Sequence, residues 1–178
     1  MLEAELLVAA KSGDRKSLET LLMDNYKIVF GYLLKLSMNE DTARDLTQET
    51  MTKAIVNIKN FKGESKFATW LISIASNLFK DALKKKSRTL ENIDEKIDLD
   101  AGEDVEQTIL TREKLAILKN ALSIIPEEMR QAFILKHYYN YSYEEIALIL
   151  KCPVGTVRSR IHYSIKKLKT VLEGGALE

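Results

Sequence analysis

Apolar residues in the first part of the chain recur with helical spacing, so that they gather on one side of successive helices. A short helix from Glu3 to Lys11 ends at Ser12-Gly13, and Asp14 is placed to cap a second that carries Leu18, Leu21, Leu22, Ile28, Val29, Tyr32, Leu33 and Leu36. Asn39-Glu40-Asp41 starts a third, running to about Asn60, with Ala43, Leu46, Thr47, Met51, Ala54 and Ile58 on one side and Asp41, Asp45, Gln48, Glu49 and Thr52 on the other. Gly63 breaks the period within Phe61-Lys62-Gly63-Glu64-Ser65-Lys66, and Ser65 is placed to cap a fourth helix from Lys66 to about Ser87. There Leu71, Ile74, Ala75, Leu78 and Ala82 are expected inside, with Thr69, Ser73, Ser76, Asn77, Lys80, Lys84 and Ser87 opposite.

The pattern then lapses. From Arg88 to Glu106 eight acids stand against two bases and large apolar groups are few, which predicts a flexible acidic linker and divides the chain into two domains, 1–87 and 107–178. Periodicity resumes around Val105 to Ser123 with Ile109, Leu110, Leu115, Leu118 and Leu122. Pro126-Glu127-Glu128 reads as a further helix start, since proline suits the first turn and acids suit the positive end of the helix dipole.

The last two helices have the sharpest signals. Ser142 and Glu145 have capping-box spacing, and Ile146, Ala147, Ile149 and Leu150 follow as an apolar face. Pro153 interrupts that helix and opens another, in which Val157, Ile161, Ile165, Leu168 and Leu172 form one stripe. Thr156, Ser159, His162, Tyr163 and Lys166 fall opposite the stripe, with Arg158, Arg160 and Lys167 on its flanks. Between Lys151 and Lys169 there are six basic residues and no acid. Two helices joined by a tight turn, the second basic on its outer face, make a helix-turn-helix whose second helix would enter a major groove by its N-terminal end.

Composition supports this all-α reading: 30% of the 178 residues are charged, with seven glycines and two prolines. A net charge of +1 puts any nucleic-acid role into local patches. Cys152 is the only cysteine, which excludes a disulfide framework and a cysteine zinc site and leaves it a small turn residue. No apolar run reaches membrane-spanning length and the acidic start does not open a signal peptide, so a cytoplasmic protein is expected, without insertion into a membrane. His137 and His162 belong to no acid–nucleophile pattern, and there is neither a phosphate-binding glycine loop nor a metal-spaced cluster; no enzyme, cofactor or metal is predicted.

The polar faces carry the functional signal. The acidic side of the third helix would repel phosphates, so it points to a basic protein partner. The polar side of the fourth helix ends in Lys84-Lys85-Lys86-Ser87-Arg88, and with Phe61 and Phe67 nearby it fits opened DNA, lysines holding phosphates and rings stacking on bases. A stand-alone regulator that binds operator DNA through the helix-turn-helix is the contrasting possibility, although nothing here resembles a dimerisation coiled coil.

Asp45-Leu46-Thr47-Gln48-Glu49, Phe67-Ala68-Thr69-Trp70-Leu71, Ile74-Ala75-Ser76-Asn77, Asp81, Ile125-Pro126-Glu127-Glu128 and Cys152-Pro153-Val154-Gly155-Thr156-Val157-Arg158-Ser159-Arg160 together resemble the extracytoplasmic-function (ECF) sigma factors, the smallest members of the sigma-70 family. The resemblance runs over nearly the whole chain in the family's order. It implies a first domain that docks on core RNA polymerase through Asp45, Gln48 and Glu49. Phe61, Lys62, Gly63, Glu64, Ser65 and Lys66 would be the loop that captures a flipped base of the −10 element, with Asn77, Lys80 and Lys84 on the same element. The second domain would read the −35 element of promoter DNA through Arg158, Ser159, His162 and Tyr163, with Thr156, Arg160, Lys166 and Lys167 beside them. An anti-sigma factor, often membrane-bound in this family, is a further implied partner. Lys151 stands where members frequently have glycine, so the turn is expected to need a positive φ there.

Overall fold

The computed structural model describes residues 2–90 and 120–174, with side chains over 2–85 and 120–170, and every regular element among them is helical. The chain parts into two compact units at Asp98 and Leu99, inside the acidic segment. Most of that segment, and the helix expected from Val105 up to its last turn at 120–123, lie outside the described residues.

The first unit consists of α1 (Glu3–Lys11), α2 (Arg15–Ser37), α3 (Glu40–Asn57) with a closing 3-10 turn (Ile58–Asn60), and α4 (Phe67–Leu90). Asp14 caps α2 by accepting the Ser17 hydroxyl and, at 2.9 Å, the Ser17 N–H, which hold its carboxyl below the ordinary range, and Asn39 caps α3 by accepting the Thr42 N–H at 2.8 Å. Helix α4 continues through Leu90, three residues into the segment expected to be linker.

Leu6 and Ala10 from α1, Leu21, Val29, Tyr32, Leu33 and Leu36 from α2, Ala43, Leu46 and Ala54 from α3, and Phe67, Leu71, Ile72, Ala75, Leu78 and Phe79 from α4 form the core. Each large side chain removed from water there contributes about 1.5–3 kcal/mol. Polar groups inside find partners within their own helix or across to a neighbouring one. Thr47 and Thr50 donate their hydroxyls to the carbonyls of Ala43 and Leu46, and the Tyr32 and Ser76 hydroxyls bond each other at 2.7 Å. Ser76 and Thr69 are therefore buried, although the helical wheel placed them on the outer face of α4. Ile74, expected inside, is only half-buried.

In the second unit α5 (Glu127–His137) and α6 (Tyr143–Leu150) both pack on α7 (Val154–Gly174). Leu122, Ile125, Ala132, Ile134, Leu135, Ile146, Ala147, Ile149, Leu150, Val157 and Ile161 make its core. The capping box forms as the spacing requires: Glu145 N–H donates to Ser142 Oγ at 3.1 Å, and Ser142 N–H to Glu145 Oε2 at 2.8 Å. Lys151 takes the left-handed conformation at φ 51°, so that its N–H and that of Cys152 both reach the Ala147 carbonyl as α6 ends. Pro153 then accepts from Thr156 and Val157 and starts α7.

Candidate nucleic-acid and protein interfaces

The rotation of α7 is fixed from inside. Val157, Ile161 and Ser164 are buried, Ser164 donating to the Arg160 carbonyl at 2.8 Å, and this turns Arg158, Ser159, His162, Tyr163, Lys166 and Lys167 outward. Ser159 donates to the Thr156 carbonyl at 2.9 Å, which leaves its oxygen free to accept. Thr156 is half-buried. Arg158 is positioned by the half-buried Tyr143 of α6, its guanidinium carbon 5.5 Å from the ring centre, and the Lys136 ammonium lies 4.9 Å from the same ring while donating to the Tyr141 carbonyl. Sequence spacing gave no sign of this: residues 136, 143 and 158 meet only through the packing of α5, α6 and α7.

Arg160, expected beside the −35 readers, is held differently from its neighbours. Its side chain is only 21% exposed, and its guanidinium faces Glu128 at 3.4 Å and Cys152 Sγ at 4.0 Å. It ties α7 to α5 and to the turn. The physical reason is local: one helical position inward from the exposed face, its long stem lies along the turn and its charge finds a carboxylate.

On α3, Asp45, Gln48 and Glu49 are all exposed on one side, with Lys53 pairing loosely with Glu49 at 3.6 Å. An exposed pair of this kind contributes little and leaves the carboxylate accessible. The same side continues to Ile55 and Val56, the latter 75% exposed, so the acidic strip ends in an apolar patch that the sequence reading passed over.

The loop between the 3-10 turn and α4 has a split character. Lys62, Gly63, Glu64, Ser65 and Lys66 are exposed, with Gly63 at φ +78°, a conformation that suits glycine. Phe61 and Phe67 instead turn inward and pack with Trp70, ring centres 5.1 to 5.6 Å apart. They anchor the loop rather than offer free faces for stacking, because three adjoining rings lose more by standing in water than by packing together. Ser65 does not cap α4: its hydroxyl points to the Lys66 carbonyl, and the Phe67 N–H meets Glu3 Oε1, 64 residues earlier in the chain, at 3.4 Å.

Beside the loop lies a groove of about 310 Å³ lined by Lys53, Asn57, Asn60, Trp70, Ile74 and Asn77. Amides that both donate and accept, an indole and an ammonium are the groups a flat heterocycle with polar edges needs. Asn77, expected on the outer face of the fourth helix against the −10 element, is half-buried on the groove wall, its Nδ2 donating to the Ser73 carbonyl at 2.8 Å. Lys80 and Lys84 are exposed farther along α4. Lys53 and Asn57 went unnoticed in the sequence, and Asn60, Trp70 and Ile74 were read there only as a helix end, a motif residue and an inward position, because spacing within one helix does not show a groove shared by α3 and α4. Among the described residues no cluster suits a metal ion, and no helix is long and apolar enough to cross a membrane.

Two family models match the chain, Sigma-70 region 2 over residues 21–89 and Sigma-70, region 4 over residues 115–168. Among curated proteins it is 30% identical to RNA polymerase sigma-H factor of Pseudomonas aeruginosa, over 96% of this chain and 94% of that protein. It is 34% identical to the ECF RNA polymerase sigma-E factor of Haemophilus influenzae, over 88% of this chain and 87% of that one. Among solved structures it resembles the sigma factor RpoE of Bartonella quintana, determined in complex with the anti-sigma factor NepR, with a TM-score of 0.69 at 25% identity, over 89% of this chain and 98% of that chain. CnrH, determined with the cytosolic domain of CnrY, shares the fold with a TM-score of 0.71 at 20% identity, over 95% and 96% of the two chains.

Proposed function

The chain belongs to the ECF branch of the sigma-70 family, the RNA polymerase sigma factors that direct promoter-specific initiation without catalysis of their own, and from that membership we propose how its surfaces divide the work. Residues 1–87 form the part that docks on core polymerase and holds the opened −10 element, 88–106 the linker, and 107–178 the part that reads the −35 element. Membership displaces the stand-alone regulator. It also gives the acidic strip of α3 a partner, which a role confined to DNA does not.

The observation that carries this division is the joint exposure of Asp45, Gln48 and Glu49 on α3, on the unit that also holds the amide-lined groove. Complementary charge steers such a strip onto a basic protein surface and away from phosphate. The groove takes a base turned out of the stack, with Asn77 on its edge, Lys62 and Lys66 from the loop near the strand, and Lys80 and Lys84 on phosphates downstream. Arg158, Ser159, His162 and Tyr163 face base edges in the major groove, and Lys166 and Lys167 hold phosphates. Arg160 supports α7 from behind.

The protein acts in the cytoplasm, where polymerase and promoters are. An anti-sigma factor is its natural restraint, a reading supported by the related RpoE having been solved with one. The test is run-off transcription from a promoter library with core polymerase, with and without this protein, alongside Asn77→Ala and Lys80→Ala. The expected result is transcription only with both components, and slow strand opening in the two variants by permanganate reactivity of promoter thymines while upstream duplex binding stays intact. Unchanged opening in both variants would move the melting face elsewhere.

A further inference from the structure

Helix α1 does more than complete a bundle: its two ends meet the two ends of the loop at 61–66. At its start Glu3 Oε1 accepts the Phe67 N–H at the first residue of α4, a long bond at 3.4 Å but one placed at the positive end of a helix dipole. At its last residue the Lys11 ammonium lies 5.5 Å from the centre of the Phe61 ring. Phe61 and Phe67, the residues so held, are themselves edge to face at 5.6 Å. Leu6 and Ala10 fix α1 to the core between these contacts. The exposed stretch from Lys62 to Lys66 thus hangs from two points, both of which α1 touches, and the open space around Gly63 leaves its middle unsupported.

We propose that α1 is a brace for the base-capturing loop, with Glu3 and Lys11 as positioning residues for recognition of the opened strand. The inference rests on the reading of loop and groove given above. Since the groove walls come from α3 and α4 while the loop joins them, the position of the loop ends decides where Lys62 and Lys66 stand against a base held by Asn57, Asn60 and Asn77. Losing either contact loosens the loop without touching the acidic strip of α3 or the recognition helix.

The experiment uses reconstituted holoenzyme and a set of promoters that differ at single positions of the opened element. For each variant the ratio of opening rates on preferred and substituted promoters is measured, together with holoenzyme assembly and the melting temperature of the free protein. Glu3→Ala and Lys11→Met should each lower that ratio about fivefold, the size expected for one dipole-placed or cation–π contact. Glu3→Gln, which still accepts the bond, and Lys11→Arg, which still lies over the ring, should keep most of it, with assembly unchanged. An unchanged ratio in Glu3→Ala and Lys11→Met, while Lys62→Ala or Lys66→Ala lowers it, overturns the brace and leaves the loop reading standing. If the loop variants do nothing either, the loop reading has failed and the brace with it. A loss that follows assembly or melting temperature in place of discrimination also overturns the proposal.

Discussion

Arg158 and Lys167 carry the same charge on the same helix, yet they are held differently. Arg158 lies against the Tyr143 ring and so presents a fixed fork, whereas Lys167 stands exposed as a point charge on a flexible stem. Arg158→Ala should therefore cost about 1–3 kcal/mol and change which upstream sequences are preferred, while Lys167→Ala weakens all sequences and lowers the salt slope by about one. Holoenzyme binding to upstream-element variants at several salt concentrations checks both, and equal loss on every sequence for both would remove Arg158 from base reading. Lys151 gives a second residue-scale expectation. Its left-handed backbone strains a residue with a Cβ, so Lys151→Gly should raise stability by roughly 0.5–1 kcal/mol, read from denaturant midpoints.

Among the elements, α6 needed only its own sequence, because the capping box and the apolar face lie within eight residues of each other. Helix α4 did not. Its wheel separated most inward from outward positions, but Ser76 goes inside because Tyr32 offers it a hydroxyl, and its start is held by Glu3 in place of Ser65. The turn after α5 has its own signature in pH. Burial, reinforced by Tyr141, pushes the Tyr139 phenol up to about 12. Below pH 10 the phenol is neutral in both folded and unfolded chains and stability is intact; above it the unfolded chain ionises first, so stability falls as pH rises from about 10 through about 12. Thermal melting across that window should show a steeper alkaline loss for the native chain than for Tyr139→Phe.

For the whole molecule, the acidic strip is the surface proposed above to dock on core polymerase. Asp45 and Glu49 are four apart on α3 and both exposed, so Asp45→Lys with Glu49→Lys should change stability by about half a kcal/mol or less. The same double reversal should abolish capture of core polymerase, since repulsion replaces complementarity. Pull-down of core polymerase beside thermal melting decides it. A variant that melts normally and captures polymerase as the native chain does would mean the strip is only solvated. Ile55 and Val56 at its end place apolar area next to the charge, which fits an interface with a desolvated centre.

By itself the sequence determined the all-α class, the division around an acidic segment, the helix-turn-helix and most outward-facing candidates, because helical period, caps and charge runs are local and survive without knowledge of the fold. The positive φ at Lys151 was foreseen through the family resemblance, since members frequently have glycine at that position. Only the tertiary structure decided that Phe61 and Phe67 pack inward, that Arg160 turns to Glu128, that Tyr143 holds Arg158, and that α1 reaches both ends of the loop. Each of these depends on groups distant in sequence meeting across packed helices. Helical spacing gives the face a residue occupies, and what stands opposite that face is set by packing alone.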